Sequence, residues 1–233
     1  MLKIDAQIID EYMMRYCFAM AAKSAEQGEY PYAAVVVRDG EIVAETTNRV
    51  AQEGDVTRHA ELVAISLAQE ALVCTDLSDC TIYANMEPCA FCCYAIRESR
   101  IGKVVFSMRS PIMGGASRWN ILGDRKLSNA MPEVFAPPPV VMAEFLCEEG
   151  DATLRRSSPL IWAVMRARGL LVAPSPQRAG GDPYHAGAAR RAREYAGVAQ
   201  WIMRALRQNF FDRFGRGGGA GGKKAKPSPS QQR

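Results

Sequence analysis

One paired feature constrains this chain more than any other: His59-Ala60-Glu61 upstream of Pro88-Cys89-Ala90-Phe91-Cys92. Two thiolates and one imidazole make three ligands for a zinc ion. A structural zinc is normally closed by four protein ligands, whereas three leave a position open for water, whose pKa zinc lowers to about 7. Cys89 and Cys92 are three residues apart and would share a helix face. Pro88 suits the entry to that helix, where a missing N–H is harmless, so the cysteines are expected in its first turn. There the helix dipole and the metal both favour thiolate. His59 is expected to open a second helix. Glu61, two residues on, need not ligate and is placed to shuttle protons. The same residues admit plainer readings. C-x-x-C alone also serves structural zinc and redox pairs. A closed site would need Cys93, about 100° around the helix from Cys92, which makes joint ligation awkward.

At 233 residues the chain can bury one substantial core, and one main domain is the expectation. The seven cysteines form no evident secreted framework; the motif cysteines read as metal chemistry in a reducing compartment. Cys17, Cys74, Cys80 and Cys147 are expected to be small apolar core residues. The N-terminus lacks a basic region followed by an apolar run, and no apolar stretch nears the roughly 18 residues of a membrane span. A cytoplasmic location and no membrane span are expected.

The net charge of +4 is unevenly placed. Residues 174–233 hold 12 Lys/Arg against 3 Asp/Glu, a net +9, which leaves 17 against 22, a net −5, for residues 1–173. Nucleic-acid modules usually carry their basic footprint on the binding domain itself. The motif-bearing part does not, which disfavours a nucleic-acid partner and favours a small-molecule one.

Periodicity predicts a helix over 10–27 ended by Gly28, strands over 32–37 and 41–46 around an Asp39-Gly40 turn, and a polar loop over 48–58. A helix over 59–72, a strand over 81–84, a helix over 88–100 and a strand over 104–107 follow. The stretch 109–127 reads as a long loop of the kind that is often functional. A strand over 140–145 and a helix over 160–168 close the pattern. Helices alternating with strands after an opening hairpin predict an α/β fold, a three-layer sandwich with a mixed sheet, with both ligand-bearing helices starting just beyond strand ends. Residues 1–172 are read as the catalytic domain. Residues 173–233 are read as a basic C-terminal extension, with an amphipathic helix expected over 196–214 and a disordered Gly/Lys-rich end.

The pairing of H-x-E with P-C-x-x-C is the signature of zinc deaminases. With Thr47-Asn48-Arg49, Asp55-Val56-Thr57-Arg58, Glu87-Pro88 and Ser99-Arg100-Ile101-Gly102-Lys103-Val104-Val105-Phe106, the sequence resembles the cytidine/deoxycytidylate deaminase superfamily over roughly residues 5–170. The branch it is most similar to holds guanine deaminases, cytosine deaminases and tRNA adenosine deaminases. The resemblance implies a five-stranded sheet flanked by helices and a homodimer. It implies zinc on His59, Cys89 and Cys92, and Glu61 as the catalytic proton shuttle. It also implies that the Asn48 side chain and the Ala60 backbone N–H bind the base. Asn48 is otherwise an ordinary loop residue.

Two departures shape the functional expectation. Arg58 puts a cation beside a ligand, at the pocket rim or simply solvated. The run from Ser110 to Asn120 lacks the charged segment that the tRNA enzymes carry there. Trp119 then either walls off a small pocket or belongs to the core. A zinc-dependent hydrolytic deaminase of a small guanine- or cytosine-like base is therefore expected, with an apolar lid over a planar ring. The alternative is a tRNA adenosine deaminase whose basic tail supplies the phosphate contacts. A catalytically inert zinc module is disfavoured, since structure alone would not require Glu61.

Overall fold

The computed structural model describes residues 6–172. The extension over 173–233, with the helix expected over 196–214, lies outside the described residues. The chain opens with α1 (Ala6–Glu26), then the hairpin β1 (Ala33–Arg38) and β2 (Glu41–Thr47), a short α2 (Val50–Glu53) and α3 (Ala60–Leu72). It continues with β3 (Cys80–Met86), α4 (Ala90–Glu98) and β4 (Lys103–Met108). The last elements are α5 (Arg125–Ala130), β5 (Val140–Met142), α6 (Cys147–Ser157) and α7 (Pro159–Ala167).

The five strands form one mixed sheet in the order β2-β1-β3-β4-β5. β1 is antiparallel to β2 and β3, whereas β3, β4 and β5 run parallel. This is the predicted α/β architecture, and the strand alternation explains its layers. Ala34, Val36, Ile82, Ala84, Val104 and Phe106 point to one face, where Ala64, Ile65 and Ala68 of α3 and Cys93 and Ile96 of α4 cover them. Val35, Val37, Tyr83 and Val105 point to the other, under Met13, Cys17, Phe18 and Ala21 of α1. Side chains one residue apart on a strand face opposite ways, so strands apolar at every position demand helices on both sides. At the C-terminal ends of β3 and β4, Met86 and Met108 pack with Leu154, Met165 and Leu171 from the α6–α7 region.

The structure corrects several expectations. Val50–Glu53 is helical inside the predicted loop, and Arg125–Ala130 is helical at the end of the long one. The first is held by Glu29, the second by an Asp124 N-cap that accepts from the Lys126 and Leu127 N–H groups. β5 is only three residues long, and α6 was not foreseen, since its sequence is mostly charged and small. Cys17 and Cys80 are buried as expected, but Cys74 is exposed just past the end of α3 and Cys147 is half-buried at the start of α6. Among the described residues no helix is long and apolar enough to cross a membrane.

Candidate active site

His59 and Cys89 are not inside their helices but immediately before them, as the N-caps of α3 and α4 with extended backbones. Neither side chain caps its helix, so both are free to turn toward a common point. This corrects the expectation that both cysteines lie in the first turn. Cys92 does, fully buried. The three donor atoms converge: Cys89 Sγ lies 3.6 Å and Cys92 Sγ 3.4 Å from His59 Nδ1, and the sulfurs are 3.6 Å apart. A tetrahedral zinc with ordinary bond lengths needs S···S of about 3.8 Å and S···N of about 3.6 Å. The donor set therefore fits zinc, and among the described residues it is the one His/Cys/Asp/Glu group close enough to hold a metal.

The electrostatics suit the same ion. The Cys89 thiol is pushed down to about 4 by the Cys92 hydrogen bond first and by His59. The same hydrogen bond, and then burial, push Cys92 up. The pair thus shares a proton that a dication would displace. Glu61 is buried on the first turn of α3. Burial raises its carboxyl to about 7, repulsion from Cys89 adds to this, and His59 and a Cys92 hydrogen bond oppose it. A carboxyl poised near neutrality is suited to take and give a proton.

Cys93 turns away from the three converging donors. Its thiol donates to the Pro88 carbonyl at 3.4 Å, and it is not among the converging donors, which removes the closed Cys3His reading. Asn48 sits just past β2, 3 % exposed, and its amide donates to Glu29 Oε1 at 3.0 Å. The Ala60 N–H, at the first position of α3, lacks an intrahelical acceptor by construction. Phe91 is exposed and edge-on to the His59 ring at 6.3 Å. Arg58 is half-exposed and paired with Glu53 and Asp55, a surface cluster. Trp119 is neither core nor a buried wall: it is 56 % exposed, with the Arg118 guanidinium 4.8 Å from its ring centroid.

Sequence reasoning missed what fastens the Trp119 loop. Glu87, quoted in the motif without a role, is buried and accepts from Ser110 N at 2.8 Å, Ser117 N at 2.6 Å and Ser117 Oγ at 2.8 Å. Gly114 pairs with Cys89 as an isolated bridge, and Gly115 N–H donates to Pro88 O at 2.8 Å. A Cβ on Gly114 would run into the Glu87 carboxylate, so glycine is required for that approach. At the far end Arg97, 1 % exposed, donates to the carbonyls of Ile121, Leu122 and Asp124. The only signal in the sequence was a charged residue on the inward side of α4 for Arg97 and a carboxylate abutting Pro88 for Glu87.

The family model for the cytidine and deoxycytidylate deaminase zinc-binding region matches residues 7–108. A tRNA-specific adenosine deaminase of Aquifex aeolicus is 37 % identical over 128 residues, which cover 54 % of this chain and 85 % of that relative. The chain belongs to this deaminase family. Among solved structures, one from work on A-to-I editing by tRNA:A34 deaminases at the wobble position is similar to the deaminase with a TM-score of 0.53 and 28 % identity. The match covers 62 % of this chain and 99 % of that one. A variant of NE0047 in complex with 8-azaguanine matches with a TM-score of 0.54 and 27 % identity, over 64 % of this chain and 83 % of that one. The deaminase is thus a zinc-dependent hydrolase acting on amino-substituted heterocycles, and His59, Cys89 and Cys92 lie close enough together to hold a zinc ion.

Proposed function

We propose that this deaminase converts an adenine presented by tRNA to hypoxanthine, with water replacing the exocyclic amine and ammonia leaving. The observation that carries the reading is Trp119: more than half exposed, backed by Arg118, on a loop bridged to the zinc ligand Cys89. A lid over a small free base would be closed and largely buried. An aromatic ring with a guanidinium on it, open to solvent, is a platform on which a splayed-out RNA base stacks. The tRNA-specific adenosine deaminases among the relatives support the same choice. Zinc, when bound, supplies a water of lowered pKa. The chain does the rest. Glu61 takes one proton from the attacking water and gives it to a ring nitrogen, then carries the hydroxyl proton left on the ring carbon to the amine, which departs as ammonia while the carbonyl forms. Asn48 and the Ala60 N–H hold the ring edge.

A second reading, a free purine as substrate, is favoured by the net −5 of residues 1–173 and by the neighbour that holds 8-azaguanine. One assay separates them: inosine formation in a tRNA anticodon stem-loop against ammonia release from free adenine, guanine and cytosine. The expected result is turnover of the stem-loop that weakens steeply with salt and falls in Trp119→Ala. Ammonia from a free base with an inert stem-loop overturns this choice for the second reading. A cytoplasmic homodimer belongs to the same reading, checked by sedimentation and cell fractionation.

A further inference from the structure

Glu29 lies between α1 and β1, at the end of the sheet where β2 ends and Asn48 begins. Its carboxylate is 2 % exposed and yet has no cationic side chain on it among the described residues. Four N–H groups satisfy it instead. Oε1 accepts from the Tyr30 backbone at 2.8 Å and from Asn48 Nδ2 at 3.0 Å. Oε2 accepts from the Ala51 and Gln52 backbones, both at 2.9 Å. The neighbourhood is fixed from other sides too: Asn48 N–H donates to Tyr32 O at 2.9 Å, Arg49 N–H to Arg58 O at 3.0 Å, and Glu29 N–H to Ser24 O at 3.1 Å. The Arg49–Arg58 bond ties this stretch to the residue before the zinc ligand His59.

An asparagine amide has a donor end and an acceptor end, and a site lined by neutral groups accommodates either. A carboxylate has acceptors only. Facing Glu29, Asn48 must present Nδ2 and turn Oδ1 away, and Oδ1 accepts no hydrogen bond from any described residue. We infer that Glu29 is a positioning residue that sets the polarity of Asn48, so that the substrate meets an acceptor. The edge held at Asn48 must then carry a donor; on a tRNA adenine, whose ring has no N–H, that donor is the exocyclic amine. The inference rests on the reading that Asn48 touches the substrate.

The test is a polarity swap in the full, zinc-loaded chain, using whichever amino-heterocycle the parent turns over. In Glu29→Gln a donor faces Asn48, the amide reverses, and kcat/KM should fall by roughly tenfold or more, the cost of an unmatched buried polar contact. In Asn48→Asp two carboxylates oppose each other and a comparable loss is expected. In the double variant, Glu29→Gln with Asn48→Asp, the introduced amide donates to the introduced carboxylate, whose second oxygen again faces the substrate. Its kcat/KM, relative to the parent, should exceed the product of the two single-variant ratios by roughly tenfold, the worth of one restored buried contact. A coupling below about threefold, or a Glu29→Gln variant that keeps the parent's kcat/KM, overturns the inference. If Glu29→Gln does not fold, hydrogen exchange of the Asn48 side-chain amide in the parent decides. Marked protection is expected, and exchange as fast as in a free asparagine overturns it. Unchanged turnover in Asn48→Ala would instead remove the substrate-contact reading, which the exchange measurement does not use.

Discussion

Replacing Glu87 by glutamine would remove the fastening of the Trp119 loop while keeping side-chain shape. Three donors converge on the native carboxylate: Ser110 N, Ser117 N and Ser117 Oγ. Glutamine has one acceptor oxygen. With that oxygen toward Ser110 N and Ser117 Oγ, its amide nitrogen faces the Ser117 N–H, donor against donor. One buried N–H then loses its acceptor, at about 1–3 kcal/mol, and each surviving bond loses its charge assistance, about 1 kcal/mol apiece. Burial opposes this loss, since it holds the Glu87 carboxyl above its ordinary value, so removing the charge relieves a desolvation cost. A net destabilisation of about 2–3 kcal/mol is expected, a large fraction of a typical domain's stability. Denaturant unfolding of the zinc-loaded protein measures it. Limited proteolysis should show new cleavage within 109–124, with zinc content unchanged. A change below about 0.5 kcal/mol with unaltered cleavage would refute the reasoning, because it would mean those hydrogen bonds are matched equally well by water.

Other expectations follow from the same geometry. His59→Ala or Cys89→Ala should lose the single zinc per chain by metal analysis, and full occupancy in both would refute the ligand assignment. Glu61→Gln should keep zinc and melting temperature while turnover drops by about 10²–10⁴-fold; a parental rate would end its proton-shuttle role. Gly115→Ala places a Cβ 2.8 Å from Cys93 Cβ and 3.0 Å from Ala90 Cα, overpacking expected to cost about 1–3 kcal/mol in denaturant unfolding, and an unchanged midpoint would count against it. Asp55 is held below its ordinary 3.8 first by the Thr57 backbone N–H and then by the Thr57 hydroxyl. Its stabilisation is therefore full above 3.8 and is lost as pH falls through the folded midpoint. The stability gap between parent and Asp55→Asn should close on acidification, and a gap constant with pH would contradict the assignment.

The sequence alone determined the metal chemistry and the architecture, because both depend on local patterns. His59, Cys89 and Cys92 are identifiable by residue type and spacing, and α3 and α4 by 3.6-residue periodicity. The sheet followed from apolar runs such as Val35–Val37 and Val104–Phe106, which need cover on both faces. What the sequence could not decide were the contacts between residues far apart along the chain. Glu29 and Asn48 are nineteen residues apart, and Glu87 and Ser117 thirty, so no periodicity links them. Trp119 shows the same limit. An aromatic in an apolar-looking loop reads as lid or core, and only the anchoring of Gly114 and Gly115 against the Glu87–Cys93 segment turned its ring outward. A side chain's chemistry is written in its residue type, but the direction it faces is set by whatever holds its backbone, and here that is a pair of buried carboxylates recruited from elsewhere in the fold.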